Sequence, residues 1–409
     1  MAELAINGGK RACDLTWPSW PIWDDEERKA LNNVLESGQW SYGERVHEFE
    51  AKFAEFQGAK FGVTCTSGTT ALEVALLALG VGAGDEVIVP SYTAVATASA
   101  VLRVNAIPVF ADILPWTLCI DHDDVERKIT DRTKAIIPVH LAGYVADMDR
   151  LREISASHNL FLVEDACHAW GSEWMGKGAG TLGKCGVFSF QATNNISSAE
   201  GGIIITNDEE VADACRSYTN CGHGQNGPWL DHFVLGSNLR MSEFQAAILL
   251  AQLTRLREQT ARRQSNAGIL TDGLRDVPGI LTIEHDPRMT RRSYHFFPFR
   301  IDTNYLGVSR DRFVEALAAE GIPVSTGYTA PLYKNPLFTH TGDGPGYCPM
   351  SCPYYGKKVD YASVCCPVCE QVCIDTCWIP HTALLADEDT MDIIIDAAYK
   401  VSDNIDELK

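Results

Sequence analysis

The chain has 409 residues, enough for two domains at roughly 150 residues each, and its 45% apolar and 22% charged residues are ordinary for a globular protein. A formal net charge of −20 repels phosphate backbones and anionic bilayers, so neither nucleic acid nor a membrane surface is an expected partner. No run reaches the ~18 apolar residues of a membrane span, and the opening MAELAINGGKRACDL lacks the apolar core of a signal peptide, so a cytoplasmic protein is expected.

From about residue 60 to 260, short β-rich runs alternate with helical patterns. FGVTC leads into TTALEVALLALG, and EVIVP into TAVATASAVLRVN. IPVFAD and AIIPVH follow, then DMDRLREISASH, LFLVED, GVFSF and GIIIT, with DEEVADACRSY after the last. Continuous apolar strands between amphipathic helices predict an α/β fold with a mostly parallel sheet covered on both faces. Active sites in such sheets sit at the carboxyl ends of the strands. SEFQAAILLAQLTRLREQTARRQSNAGILTDGL is too long for one ordinary helix and is expected to carry the chain out of the large domain.

Beyond about residue 276 the rhythm changes. YHFFPFRI reads as a strand and DRFVEALAAEG as a helix ending at its glycine. HTGDGPGYCPMSCPYYGKK reads as a loop and DEDTMDIIIDAAYKVSDNI as a terminal helix. A smaller α+β domain is expected, with the division at residues 1–265 and 266–409. Fourteen cysteines are expected to be reduced thiols. Seven fall late: Cys348, Cys352, Cys365, Cys366, Cys369, Cys373 and Cys377. Cys366 and Cys369 have the gap of a zinc knuckle, but no second knuckle matches it. Cys369, Cys373 and Cys377 recur every four residues, as thiols packing one helix face would. No metal is expected.

Three strand ends carry chemistry. In TSGTTAL, Ser67, Gly68, Thr69 and Thr70 turn from a strand into a helix, whose free N–H groups attract phosphate; a plain N-cap is the bland alternative. In LFLVEDACHAWG, Asp165 ends a strand, and a buried carboxylate there needs a cation: a protonated pyridine nitrogen, or a salt-bridge partner. His168, three residues on, could pack on a ring or bond a phenolate, or be a satisfied structural histidine. In FSFQATNNISSAEGG, Ser189 and Gln191 end one strand and Glu200-Gly201-Gly202 open another. Carboxylate, amides and hydroxyls together describe a pyridoxal phosphate site.

The stretches GDEVIVPSYTAVATA, TKAIIPVHLAGYVADMD, VEDACHAWGS, FSFQ…EGG and GSNLRMSEFQAAIL span most of residues 15 to 260, and CWIPH agrees near the end. Together they resemble the DegT/DnrJ/EryC1/StrS aminotransferases, which act on keto-sugars and keto-cyclitols. The resemblance implies the three-layer fold of pyridoxal-phosphate-dependent transferases, with a seven-stranded central sheet. It also implies pyridoxal or pyridoxamine phosphate as cofactor, glutamate or glutamine as amino donor, and a homodimer with shared active sites. Gly68 and Thr69 match the phosphate-binding turn, Asp165 the carboxylate on the pyridine nitrogen, and His168 a position beside the ring oxygen. Ser189 and Gln191 match the strand end at the phosphate, and Asn238 the asparagine lent across the dimer. Tyr328, Tyr333 and His381 lie in segments that resemble those approaching the sugar. Arg240 would bind the donor carboxylate or tie the dimer. No basic patch is evident, which favours a free sugar or cyclitol over a nucleotide-linked one.

Two positions depart from the family pattern. Ala94 stands where an aromatic ring often covers the cofactor, and Asn194 stands where the family has its catalytic lysine. That lysine bonds the cofactor covalently and then moves protons. An amide nitrogen is neither nucleophile nor base, and Lys184 lies a strand length of roughly 15 Å away. Four readings follow. The chain is an aminotransferase whose lysine has been replaced, as it would be to trap an adduct. It is a lysine-free enzyme that holds aminated cofactor and performs dehydration or another elimination, with His168 as base. It is a catalytically silent subunit that pairs with an active homologue. Or it is a binding module.

Overall fold

The computed structural model describes residues 3–224, 228, 230–339 and 349–409. Helices α1 (Asp25–Ser37) and α2 (Glu44–Gln57) precede β1 (Phe61–Cys65). The chain then alternates through α3 (Gly68–Ala78), β2 (Glu86–Pro90), α4 (Val95–Arg103), β3 (Ile107–Ala111) and α5 (His122–Lys128). It continues through β4 (Thr133–Ile136), α6 (Met148–His158) and β5 (Phe161–Asp165). The short β6 (Glu173–Trp174) and β7 (Lys177–Gly178) lead to β8 (Cys185–Ser189), β9 (Gly202–Thr206) and α7 (Glu209–Thr219).

Seven of these strands form one sheet in the order β1-β9-β8-β5-β4-β2-β3. Only β9 runs against its neighbours, pairing antiparallel with both β1 and β8. Every residue of β2 and β9 is buried. Successive side chains of a strand point to opposite faces, so both faces of the sheet are covered, as the unbroken apolar runs predicted. The run AIIPVH is strand only as far as Ile136; beyond Pro138 it rejoins the sheet at one bridge, Val139 to Asp165.

Helix α8 (Glu243–Arg275) is a single helix of 33 residues, well beyond the ordinary length. It contains no proline, it starts on a capping box between Ser242 and Gln245, and it serves two cores in turn. Ala246, Leu249 and Leu256 pack with the central sheet, whereas Ala267, Leu270 and Leu274 pack in a second cluster that also takes in Leu4 and Cys13. The division expected at residue 265 falls inside this rod. No helix among the described residues is long and apolar enough to cross a membrane.

After α8 come β10 (Ile280–Thr282), β11 (Met289–Arg291), β12 (Phe296–Ile301), α9 (Thr303–Leu306), α10 (Arg310–Ala319), β13 (Ser325–Thr326) and α11 (Pro336–Thr339). Then α12 (Pro367–Asp375) runs directly into β14 (Thr376–Pro380), and α13 (Asp389–Asp403) closes the fold. A four-stranded antiparallel sheet, β10-β12-β14-β13, carries the second core, and β11 pairs with β6 and β7. Cys369 and Cys373 share α12, but Cys377 lies on β14, where it pairs with Phe299. The helical period fails there because Arg300 grips the Asp375 carboxylate at 2.6 and 2.8 Å and the next five residues join the sheet. The described cysteines are free thiols; Cys348 lies outside the described residues.

Candidate active site

The carboxyl ends of β1, β2, β5 and β8 meet around one cavity of about 180 Å³. Its floor is the turn from β1 into α3. Ser67 caps the helix by accepting from Thr70 N at 3.2 Å, while Thr70 Oγ1 accepts from Ser67 N at 3.0 Å. The N–H groups of Gly68 and Thr69, the first two helical positions, have no helical acceptor and remain for an anion. The turn is thus an N-cap that also leaves two backbone N–H groups open to the cavity. A side chain at Gly68 would stand 2.7 Å from Ser189 Cβ and 2.9 Å from Cys167 Sγ, so only glycine fits.

Asp165 ends β5 and is 5% exposed. Its Oδ2 accepts from Thr97 Oγ1 at 2.8 Å and its Oδ1 from Cys167 N at 3.2 Å. Among the described residues it has no ion-pair partner. A buried carboxylate with two neutral donors and no cation is costly unless a cation comes from outside the chain. A protonated pyridine nitrogen supplies one. His168 lines the same cavity, and its buried Nδ1 has no partner among the described residues. Burial pushes its pKa down to about 4, against a smaller upward pull from Asp165, so the ring is neutral. An unpartnered ring nitrogen, an unpaired carboxylate and free helix-start amides fit a phosphorylated pyridine.

Residues 190–201 leave β8 and return into β9 across the cavity mouth. Gln191 is exposed, and its Oε1 accepts from Thr193 N at 2.8 Å and Thr193 Oγ1 at 2.7 Å. Asn194 is 5% exposed and lines the cavity; its Nδ2 donates to Ser189 O at 3.0 Å. Ala94, the extended residue just before α4, also lines the cavity. No lysine is among the lining residues. Lys184 pairs with Asp208 at the other end of β8.

A second cavity of about 660 Å³ adjoins the first and shares His168. Its wall is aromatic, with Trp20, Phe296, Tyr328 and Trp378, and His295 stacks on His168 with ring centres 4.3 Å apart. Tyr328 and His381 line this cavity. Tyr333 does not. It is 1% exposed, its ring packs against Phe110, and its hydroxyl donates to Glu370 at 2.7 Å. Asn238 is exposed, bridges to Asn220 and lies away from both cavities. Arg240 donates to Asn220 Oδ1 at 2.7 Å. Sequence reasoning missed Thr97, Cys167 and His295. A threonine one helical turn after Thr93, directed at a strand end, was the available signal for the first.

Residues 21–352 match the DegT/DnrJ/EryC1/StrS aminotransferase family. The chain is 39% identical over 429 residues to L-glutamine:2-deoxy-scyllo-inosose aminotransferase of Micromonospora echinospora, covering 100% of both. Its fold is similar to 3-amino-5-hydroxybenzoic acid synthase, with a TM-score of 0.86 and 34% identity over 96% of this chain and 99% of that one. It is also similar to E. coli GDP-4-keto-6-deoxy-D-mannose-3-dehydratase, whose structure holds hydrated pyridoxal phosphate, with a TM-score of 0.81 and 27% identity over 94% and 99% of the two chains. With a pyridoxal-phosphate-shaped set of groups at the strand ends and a match along most of its length, the chain belongs to the DegT/DnrJ/EryC1/StrS aminotransferase family, whose members depend on pyridoxal or pyridoxamine phosphate.

Proposed function

We propose that this chain holds pyridoxal or pyridoxamine phosphate without a covalent bond and takes a keto-cyclitol as substrate and glutamine as amino donor, with the proton-transfer position of the family occupied by Asn194. The observation that carries the cofactor reading is the buried, cation-free carboxylate of Asp165 facing free helix-start amides. When bound, the cofactor supplies an electron sink for a carbanion next to nitrogen. Gly68 and Thr69 donate backbone N–H groups to its phosphate, and Asp165 keeps its ring nitrogen protonated. Ala94 leaves one ring face without an aromatic cover. The second cavity has no lysine or arginine in its wall, which suits an uncharged ring better than a nucleotide-linked sugar. A homodimer, with Asn238 exposed and available to the other copy's site, is part of the proposal.

Asn194 orders the loop through Ser189 O but cannot move a proton. Asn194→Lys should therefore restore covalent attachment, seen as a new visible absorbance, and raise glutamine-dependent amination of 2-deoxy-scyllo-inosose by about 10²–10⁴-fold, the range of one acid–base group. If neither appears, the reading is wrong. One observation favours the elimination reading: neutral His168, with its unpartnered Nδ1, lines both cavities and is placed to accept a proton. Loss of water from a keto-sugar by the unaltered chain loaded with pyridoxamine phosphate, abolished in His168→Gln, would establish it.

A further inference from the structure

Arg263, on α8, is fully buried, and among the described residues no carboxylate pairs with it. Its Nη2 lies 3.2 Å from His381 Nδ1, and its guanidinium carbon lies 5.6 Å from the centre of the Trp20 ring. Its Nε and Nη1 have no hydrogen-bond partner among the described residues. A guanidinium only donates, so His381 Nδ1 is the acceptor and the ring carries its hydrogen on Nε2. That Nε2 donates to Thr193 O at 3.0 Å. Trp20 Nε1 donates to the preceding carbonyl, Ala192 O, at 3.1 Å, and its ring meets His381 edge to face at 4.6 Å. The two side chains that touch Arg263 thus hold the two consecutive carbonyls just before position 194. Both nitrogens of His381 are spent on these two contacts.

We infer that Arg263 is a positioning residue: acting through Trp20 and His381, it fixes the backbone at Ala192 and Thr193 and so sets where the side chain at position 194 enters the cofactor cavity. This rests on the reading that position 194 faces the cofactor. Burial and the nearby guanidinium push the His381 pKa well below its ordinary value, which keeps the ring in the neutral form the two hydrogen bonds require. Burial pulls Arg263 down to about 9, still cationic at neutral pH. Burying an unpaired guanidinium is costly, and an apolar residue would fill the same space more cheaply if packing were all that mattered. Three distant parts of the chain converge here: the N-terminal segment, α8 and the residue after β14.

The test uses the full chain carrying Asn194→Lys, loaded with pyridoxal phosphate. Covalent attachment is followed by absorbance and, after borohydride reduction, by mass. Hydrogen exchange of the amides at 192–195 is read in the cofactor-free chain. Arg263→Met and His381→Phe should each keep non-covalent cofactor, slow attachment about tenfold, as loss of one charge-assisted contact would, and speed exchange at 194. Arg263→Lys, which still donates to His381, should recover most of the attachment rate. Attachment and exchange as in the Asn194→Lys parent, in both Arg263→Met and His381→Phe, would overturn the inference. If Arg263→Met does not fold, His381→Phe and Arg263→Lys decide it. If Asn194→Lys alone never attaches cofactor, the proposed function fails instead, and the exchange measurement still decides the role of Arg263.

Discussion

Gly202→Ala would drive a methyl carbon into the turn that offers its N–H groups to phosphate. A Cβ at Gly202 would stand 2.3 Å from Ser67 O, 2.4 Å from Ser67 C and 2.9 Å from Gly68 N. An ordinary carbon–oxygen contact is roughly 3.3 Å, so the turn or β9 must retreat by about 1 Å. Neither moves freely, because Gly202 lies in register between Cys65 of β1 and Ser189 of β8 inside the sheet. Overpacking of this kind costs about 1–3 kcal/mol of stability. An ångström of displacement at an oriented group costs up to about 100-fold, so affinity for pyridoxal phosphate should fall roughly 10- to 100-fold. Urea unfolding of the cofactor-free chain reads the first quantity, and calorimetric titration with pyridoxal phosphate reads the second. A destabilised variant that binds cofactor as tightly as the parent would show that the start of α3 does not hold the phosphate.

Thr97→Val keeps shape but removes a donor to Asp165. Cofactor affinity should drop by about 1.5–3 kcal/mol, the range for a hydrogen bond to a charged group, and an unchanged dissociation constant would argue against Asp165 as the anchor. His168 has a folded pKa of about 4 against 6.5 for the free side chain. The unfolded chain therefore takes up the proton first, and the stability contributed is complete above pH 6.5 and lost as pH falls from 6.5 to about 4. That amounts to about 3 kcal/mol at most, so His168→Gln should flatten the decline of the urea midpoint between pH 6.5 and 5. Glu164, fully buried beside His140, accepts from the N–H groups of Gly180, Leu182 and Gly183 at 2.6–2.7 Å. Glu164→Ala should cost about 3 kcal/mol or more, and a midpoint unchanged in urea would contradict that accounting.

The strands of the central sheet were legible because a strand buried on both faces leaves an unbroken apolar run, as in EVIVP and GIIIT. The end of LFLVED stood out for a related reason: the two carboxylates that close this run, Glu164 and Asp165, must each be answered by something. The single antiparallel strand was not legible, since GIIIT reads the same in either direction and its other sheet neighbour, β1, lies far back along the chain. The surroundings of Tyr333 were not legible, because they depend on Glu370, 37 residues on, and on Phe110 across the fold. Arg263 left no signal. In the pattern TRLREQTARRQ it is one of several arginines on a polar-looking helix, and only the approach of Trp20 and His381 makes it different from Arg262, which reaches Asp387 at the surface.

The reversed direction of β9 has an outcome beyond sheet topology. Ser189 and Gly202 are register partners, so the twelve residues between them form a closed ring of backbone whose two feet rest on the same rung. Whatever side chain is mounted at position 194 hangs from a frame anchored on either side, by Trp20 and His381 on one limb and by Asn195 to Ser293 on the other. Such a mount can change its tool without being rebuilt. Chemistry at this position can be lost, exchanged or regained through one side chain while the fold around it stays as it is.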